Sequence, residues 1–175
     1  MKTKTEKKTE VTEPIFEFKS FKPAYHLSEE TIAFTANIYL NGKKVGEARN
    51  SGQGGCNDIY WSDKNAQKQL ADFLDSLPEK PYSFDPERSY KIDEDSFFSE
   101  LVNRYGRRKE LQDQCKGKVC FHPKEWDGKT YRYFACKAAE RDRAREIIFE
   151  KYPDSVIMND GLNIPVNSKG IHLDD

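Results

Sequence analysis

The chain has 175 residues, of which 34% are charged and 36% are hydrophobic, and its formal net charge is -1. Its apolar stretches are too short for a membrane-spanning helix, and its 11 Phe, 9 Tyr and 2 Trp argue against a wholly disordered chain. The length suits one domain or two small ones. Four cysteines and a charged N-terminus without an apolar signal segment lead us to expect a reducing, cytoplasmic location.

The first residues differ in character from those that follow. Residues 1–14 are charged and lack apolar spacing, which predicts a disordered tail. Residues 15–77 predict a strand-hairpin-helix unit. Its clearest strand is 31–40, where apolar side chains recur at every second position, as in a strand with one buried face. An amphipathic helix follows and is closed by Pro78.

The turn after that strand predicts how a hairpin pairs. Asn41-Gly42 favours a type I′ turn, because both residues tolerate a positive φ. With these two residues as the loop, Ile38 would lie opposite Val45, and Thr35 would lie opposite Ala48. We therefore expect a regular two-residue hairpin.

The second half of the chain again combines strands and helices. Residues 78–92 contain three prolines and predict an ordered, Pro-rich connection between two subdomains. Residues 93–152 predict a helix-hairpin-helix unit with Asp127-Gly128 as its turn, and residues 153–175 are expected to form a loop or an edge strand. Together these elements predict an α+β fold with an antiparallel sheet of about four to six strands and three helices.

The net charge conceals an uneven distribution along the chain. Residues 1–100 carry 14 basic and 18 acidic side chains (-4), residues 101–151 carry 14 and 8 (+6), and residues 152–175 carry 1 and 4 (-3). A basic block can attract a phosphate backbone. Basic and acidic residues that alternate along a helix also form ion pairs on its surface. The central block is therefore a candidate contact region with two interpretations.

The same block is rich in aromatic residues. Basic side chains beside exposed rings can bind single-stranded nucleic acid, although alternating aromatic residues in a strand more often belong to a buried core. The candidate nucleic-acid-binding residues are Arg104, Arg107, Arg108, Lys109, Lys118, Trp126, Lys129, Arg132 and Lys137.

A glycine-rich segment after the hairpin is a candidate ligand loop. Glycines let backbone N–H groups approach an anion, so a nucleotide or small metabolite is one candidate ligand. The glycine spacing matches neither a P-loop nor a dinucleotide-binding fingerprint, and a plain turn between two strands is the simpler interpretation. The candidate residues are Ser51, Gly52, Gln53, Gly54, Gly55 and Asn57.

Four sulfur or imidazole side chains are enough for a tetrahedral zinc site. They are Cys115, Cys120, His122 and Cys136. They lack the Cys-x2-Cys pair that marks the clearest zinc motifs, so buried free thiols are the alternative. No other cofactor is expected.

Residues 34–71 resemble the hairpin and second helix of a double-stranded-RNA-binding domain. The similarity rests on Phe34-Thr-Ala-Asn-Ile-Tyr-Leu-Asn-Gly-Lys-Lys-Val-Gly-Glu-Ala48 and Ser62-Asp-Lys-Asn-Ala-Gln-Lys-Gln-Leu-Ala71. Where that family begins the helix with paired lysines, this chain has Asp63 and Lys64. The resemblance implies a shared strand-hairpin-helix unit and carries over no RNA contacts.

Residues 31–152, especially the segments 41–55 and 111–121, also resemble small proteins of bacteriophages and mobile elements. That resemblance implies roles such as binding a host factor, inhibiting host defence or handling phage nucleic acid. The sequence shows no catalytic motif. We therefore expect a non-catalytic cytosolic binding protein whose partner is a macromolecule, a protein in preference to a nucleic acid.

Overall fold

The computed structural model describes residues 12–125 and 130–173. These residues form nine strands and three longer helices, with all strand pairs antiparallel, which confirms the predicted α+β class. The chain divides into two compact units, Met1–Asn103 with Asn167–Asp175, and Arg104–Val166. The sequence had placed a boundary at 78–92. In the described part of the chain, none of the helices combines the length and the apolar character needed to cross a membrane.

The first unit is built on a four-stranded meander. Its strands are β1 (Phe16–Pro23), β2 (Phe34–Leu40), β3 (Lys43–Asn50) and β4 (Asp58–Trp61), in the order β1-β2-β3-β4. The predicted turn between β2 and β3 is confirmed, since Asn41 and Gly42 have φ values of 51° and 77°.

The predicted pairing of that hairpin is correct only next to the turn. Tyr39 lies opposite Lys44, but Ile38 lies opposite Gly46 instead of Val45, and Thr35 lies opposite Arg49 instead of Ala48. A bulge at Val45 causes the shift. Because of the bulge, both Val45 and Ala48 face the core, where they are 2% and 1% exposed.

Two helices contribute to the core of this unit. Helix α1 (Lys64–Ser76) is capped by Asp63, whose carboxylate accepts bonds from the backbone N–H groups of residues 65 and 66. Helix α2 (Glu94–Gln114) begins after Asp93, which accepts a bond from the N–H of residue 96. Phe16 of β1 is fully buried, and its ring lies edge-on to Phe97 of α2 with the centroids 6.0 Å apart.

The C-terminal residues 167–173 hold the start of β1. Ser168 is fully buried and exchanges bonds with Phe16, whose N–H donates to the Ser168 Oγ at 2.7 Å. The Gly170 N–H donates to the Glu13 carboxylate at 2.6 Å, and the Ser168 hydroxyl donates to the Pro14 carbonyl. The predicted tail 1–14 lies mostly outside the described residues, but its last two residues are held in place by these bonds.

Residues 78–92, predicted as a Pro-rich connection, contain a two-stranded ribbon. Its strands are β5 (Lys80–Tyr82) and β6 (Asp85–Tyr90). The Tyr82 ring contacts the rings of Phe84 and Tyr90 at centroid distances of 5.1 and 4.9 Å, and Phe84 at the tip is 79% exposed. A ribbon of two strands has little buried area of its own, so this aromatic contact is its main stabilisation.

The second unit contains a three-stranded sheet and one helix. The sheet consists of β7 (Lys118–Pro123), β8 (Arg132–Ala135) and β9 (Ser155–Ile157), in the order β8-β7-β9. Helix α3 (Arg141–Lys151) packs against one face of this sheet. The small core consists of Val119, Phe121, Ala144, Ile148 and Ile157. The predicted Asp127-Gly128 turn lies outside the described residues.

Candidate binding surface

Strand β8 is an edge strand whose four residues are all exposed. Tyr133 is 61% exposed and Phe134 is 39% exposed, although alternating aromatic residues usually mark a core. The Lys118 ammonium lies over the Tyr133 ring, 4.5 Å from its centroid, and 5.8 Å from that of Tyr131. We call the exposed Arg132, Tyr133 and Phe134, together with the half-buried Lys118 and Tyr131, the β7–β8 surface.

The opposite face of β8 carries a second cation beside a ring. The Arg132 guanidinium lies 4.7 Å from the centroid of Tyr152, which is itself 40% exposed. Neither Lys118 nor Arg132 has a carboxylate oxygen within 4.0 Å among the described residues. As far as the described residues go, the β7–β8 surface therefore combines rings with two cations that have no carboxylate partner within 4.0 Å.

Other predicted nucleic-acid-binding residues lie elsewhere or are already paired. Arg104, Arg107, Arg108 and Lys109 are on α2, and the Lys109 ammonium forms an ion pair with Asp113 at 3.1 Å. Lys137 follows β8 and is exposed. Trp126 and Lys129 lie outside the described residues. Of the seven candidates that the structure describes, Lys118, Arg132 and Lys137 lie on or next to the β7–β8 pair.

The glycine-rich segment is an internally bonded turn. The N–H of Gly52 donates to the side chain of Asn50 at 2.8 Å, and the N–H of Asn57 donates to the Asp95 carboxylate at 2.6 Å. Two of the backbone donors that an anion could use are therefore already occupied. Ser51 and Gln53 are exposed, Gly54 lies against the Glu30 side chain, and Gly55 has open space around its Cα.

The charge around this turn also disfavours a phosphate ligand. A cavity of about 400 Å³ beside it is lined by Glu29, Glu30, Asn57 and eight other uncharged residues of the described chain, with no lysine or arginine among them. The carboxylate of Asp95, helped by that of Asp93, raises the pKa of the exposed Cys56 thiol. A negative field that disfavours a thiolate also disfavours a phosphate. The geometry therefore favours a structural turn over the predicted nucleotide loop.

The four predicted zinc ligands do not come together. Cys136 packs against the core face of β7 that carries Val119 and Phe121, whereas Cys120 points to the other face because side chains alternate along a strand. Among residues 12–125 and 130–173, no three His, Cys, Asp or Glu side chains are grouped to hold a metal ion. The structure therefore does not bring Cys115, Cys120, His122 and Cys136 together as one ligand set.

Two of these cysteines are buried free thiols. Cys115 is 3% exposed and Cys120 is fully buried, with the Cys120 thiol donating to the Gln114 carbonyl at 3.3 Å. Burial, with the neighbouring Cys115 thiol, raises the pKa of Cys120 to about 12. His122 has its Nδ1 2.6 Å from the Pro123 carbonyl.

The solvent face of the four-stranded sheet carries a site that the sequence reasoning missed. A cavity of about 340 Å³ is lined by Lys22, Thr35, Asn37, Arg49 and Tyr60, together with four other described residues. The Arg49 guanidinium lies 4.9 Å from the Tyr60 ring centroid and is also 3.1 Å from the Asp58 carboxylate. The polar positions of β2 were the available signal, since a strand with one buried face exposes the other.

No family model matches the chain, and neither curated proteins nor solved structures include a significant match to it.

Proposed function

We propose that the chain is a non-catalytic cytosolic binding protein that contacts a negatively charged macromolecule through the β7–β8 surface. The observation that carries this proposal is the edge strand β8, where Tyr133 is 61% exposed beneath the Lys118 ammonium. Exposed tyrosines combined with cations are typical of contact surfaces, because a rigid ring buries much area at little cost in side-chain entropy.

The net charge of the second unit supports a negatively charged partner. Residues 104–166 carry 14 basic and 10 acidic side chains, a net charge of +4, and the remaining residues carry 15 and 20, a net charge of -5. Opposite charge on the partner would steer it to the second unit. A protein partner is favoured because an exposed strand edge also offers backbone hydrogen bonds.

Single-stranded nucleic acid is the second candidate partner. Lys118 beside Tyr131 and Tyr133 supplies the combination of a cation and stackable rings that such binding uses. The resemblance to phage and mobile-element proteins extends both proposals, since it would make the partner a host or phage macromolecule, such as a component of host defence.

The test is affinity capture from a bacterial lysate on the immobilised full chain, with and without nuclease. The variant is Tyr133→Ser, and the matched control is Tyr60→Ser, which removes a tyrosine that is 50% exposed in the other unit. We expect captured proteins that survive nuclease, persist with Tyr60→Ser and are lost with Tyr133→Ser. Material lost on nuclease treatment would favour the nucleic-acid candidate, and equal capture by both variants would refute the β7–β8 surface.

A further inference from the structure

Strand β8 turns the outer edge of its backbone away from β7, at the end of the described sheet. In β7, the Cys120 N–H donates to the Asn159 side chain and the Lys118 carbonyl accepts from it, so both groups point away from β8. In an antiparallel pair, the residues opposite them therefore also point their backbone groups away. Those residues are Tyr133 and Ala135.

No described residue hydrogen-bonds to these outward groups. Tyr133 and Ala135 together offer two N–H donors and two carbonyl acceptors, which a strand of about four residues would pair. Natural proteins often block such an edge with a proline, a bulge or a lysine on the edge. Strand β8 has no proline, its pairing with β7 is regular, and the Arg132 side chain lies over Tyr152.

Charge selects the occupant of this edge. Lys118 and Arg132 flank the edge on its two faces, and Lys137 follows it. The carboxylate of Glu140 accepts a bond from the Lys137 backbone N–H at 2.9 Å. An acidic strand would complement these cations, whereas a second copy of β8 would bring the same cations together across the new pair.

We infer that β8 accepts an extended acidic segment of a protein partner as a fourth strand, so that the sheet becomes partner-β8-β7-β9. This inference rests on the proposed function and specifies its partner. Backbone pairing to Tyr133 and Ala135 supplies the affinity that is independent of sequence, and acidic side chains at successive positions of the segment meet Lys118 on one face and Arg132 on the other.

The test selects binders from a displayed library of random nonapeptides on the full chain, and measures the binding of a 15-residue oligothymidylate in parallel. Enriched peptides should be rich in Asp and Glu and free of internal proline. Tyr133→Pro removes one outward N–H without touching the bonds to β7, and it should weaken peptide binding by about tenfold. Tyr133→Ala, which keeps the N–H, should weaken binding less.

A second measurement avoids any dependence on how the variants fold. N-methylation of the best peptide at alternate residues should abolish binding to the unmodified chain in one register and leave it within about twofold in the other, because only every second N–H faces β8. Peptides that bind equally well in both registers, or equally well to Tyr133→Pro, would refute strand addition and leave the proposed function standing.

The remaining outcomes are equally decisive. Binding of the oligothymidylate without any enriched peptide would refute strand addition and support the nucleic-acid candidate. Self-association of the chain that Tyr133→Pro abolishes would identify a second copy as the occupant and refute the acidic segment. If neither peptide nor oligonucleotide binds, the inference fails, and the capture experiment with Tyr133→Ser decides the proposed function separately.

Discussion

Gly52 and Gly55 provide a matched pair for testing how the glycine-rich turn is built. Their φ values are nearly equal, +88° and +87°, but an added Cβ would meet different surroundings. At Gly52 it would lie 2.4 Å from the Leu27 carbonyl oxygen and 2.8 Å from the Ala33 Cβ, whereas at Gly55 nothing lies within 4 Å. The pair therefore separates backbone strain from crowding.

Gly55→Ala should show backbone strain alone. An L-residue at positive φ costs about 1–2 kcal/mol, and the loss of unfolded-state freedom offsets about 0.4–1 kcal/mol of that. Gly52→Ala adds overpacking of about 1–3 kcal/mol. It also displaces the Gly52 carbonyl, which accepts bonds from the N–H groups of residues 29 and 30 at 2.8 and 3.1 Å. We expect Gly52→Ala to be less stable than Gly55→Ala by about 2–3 kcal/mol.

The assay is urea unfolding followed by the fluorescence of Trp61. The chain has two tryptophans, so both variants are made in a Trp126→Phe background that leaves Trp61 as the reporter of the first unit. Hydrogen exchange of residues 29–31 should quicken in Gly52→Ala and stay near the parent rate in Gly55→Ala. If the two variants lose the same stability within about 0.5 kcal/mol, crowding at Gly52 is not what shapes the turn.

Three further predictions concern the Asn159 side chain, which bonds to the backbone of β7, the helix cap Asp63 and the buried thiol of Cys120. Asn159→Ala leaves the N–H of the fully buried Cys120 without its 2.8 Å bond and should lower the free energy of unfolding by about 1–3 kcal/mol in urea. The control Asn163→Ala removes an exposed side chain and should cost under about 0.5 kcal/mol. Equal losses would contradict the role of Asn159 as the partner of the Cys120 N–H. Bonds from the Lys43 side chain, and then from the backbone of α1, hold the pKa of Asp63 below its usual value, so the stabilisation it gives is present above about pH 4 and fades as the pH falls through the folded pKa. Asp63→Asn, which keeps a capping oxygen, should accordingly lose less stability between about pH 5 and pH 2 than the parent chain in acid titrations followed by circular dichroism, and parallel titration curves would argue against the cap. Because burial and a neighbouring thiol raise the pKa of Cys120 to about 12, iodoacetamide at pH 8 should label it in urea and leave it unlabelled in the folded chain, as read by peptide mass spectrometry; rapid native labelling would contradict its burial.

The sequence predicted the local elements of the first unit better than their pairing. Alternation along β2 and the Asn41-Gly42 turn depend on neighbouring residues, and both are confirmed. The bulge at Val45 depends on distant ones. An added Cβ on Gly46 would lie 2.7 Å from the Tyr60 carbonyl oxygen of β4, so the close approach of a third strand accompanies the register shift, and no property of the hairpin alone shows it.

The ribbon of residues 80–90 escaped prediction for a different reason. Prolines usually exclude a strand because they cannot donate to its ladder. In a ribbon of two strands, however, each strand is an edge, so Pro81 in β5 and Pro86 in β6 are tolerated. Tyr82 and Tyr90 contact each other across the ribbon, and their spacing in the sequence is compatible with such a pair. The prolines nevertheless favoured the prediction of an irregular connection.

The candidate surface was predictable in its composition and not in its exposure. Tyr133 and Phe134 are adjacent in one strand, so the alternation of side chains puts them on opposite faces. Whether both faces are exposed depends on which neighbours that strand has. The tail strand β9 pairs with β7 on the side away from β8, and this long-range choice leaves β8 at the edge.

The two sheets carry the same kind of cation–ring contact, and their carboxylates decide which one suits an acidic partner. On the first sheet, Lys19 lies 4.2 Å from the Tyr39 ring centroid and 3.7 Å from the Glu17 carboxylate, and Arg49 beside Tyr60 is 3.1 Å from Asp58. An acidic ligand there would have to replace existing ion pairs, and exchanging one exposed pair for another changes the free energy little.

Lys118 and Arg132 on the second sheet face no carboxylate within 4.0 Å among the described residues. An incoming acid would therefore form new charge pairs at the edge of β8 and displace none. The consequence is a measurable difference in salt dependence. Added salt should weaken binding at the β7–β8 surface steeply, because screening acts on pairs that exist only in the complex, whereas a ligand bound over Tyr60 should respond weakly, since salt would screen its free and bound states alike.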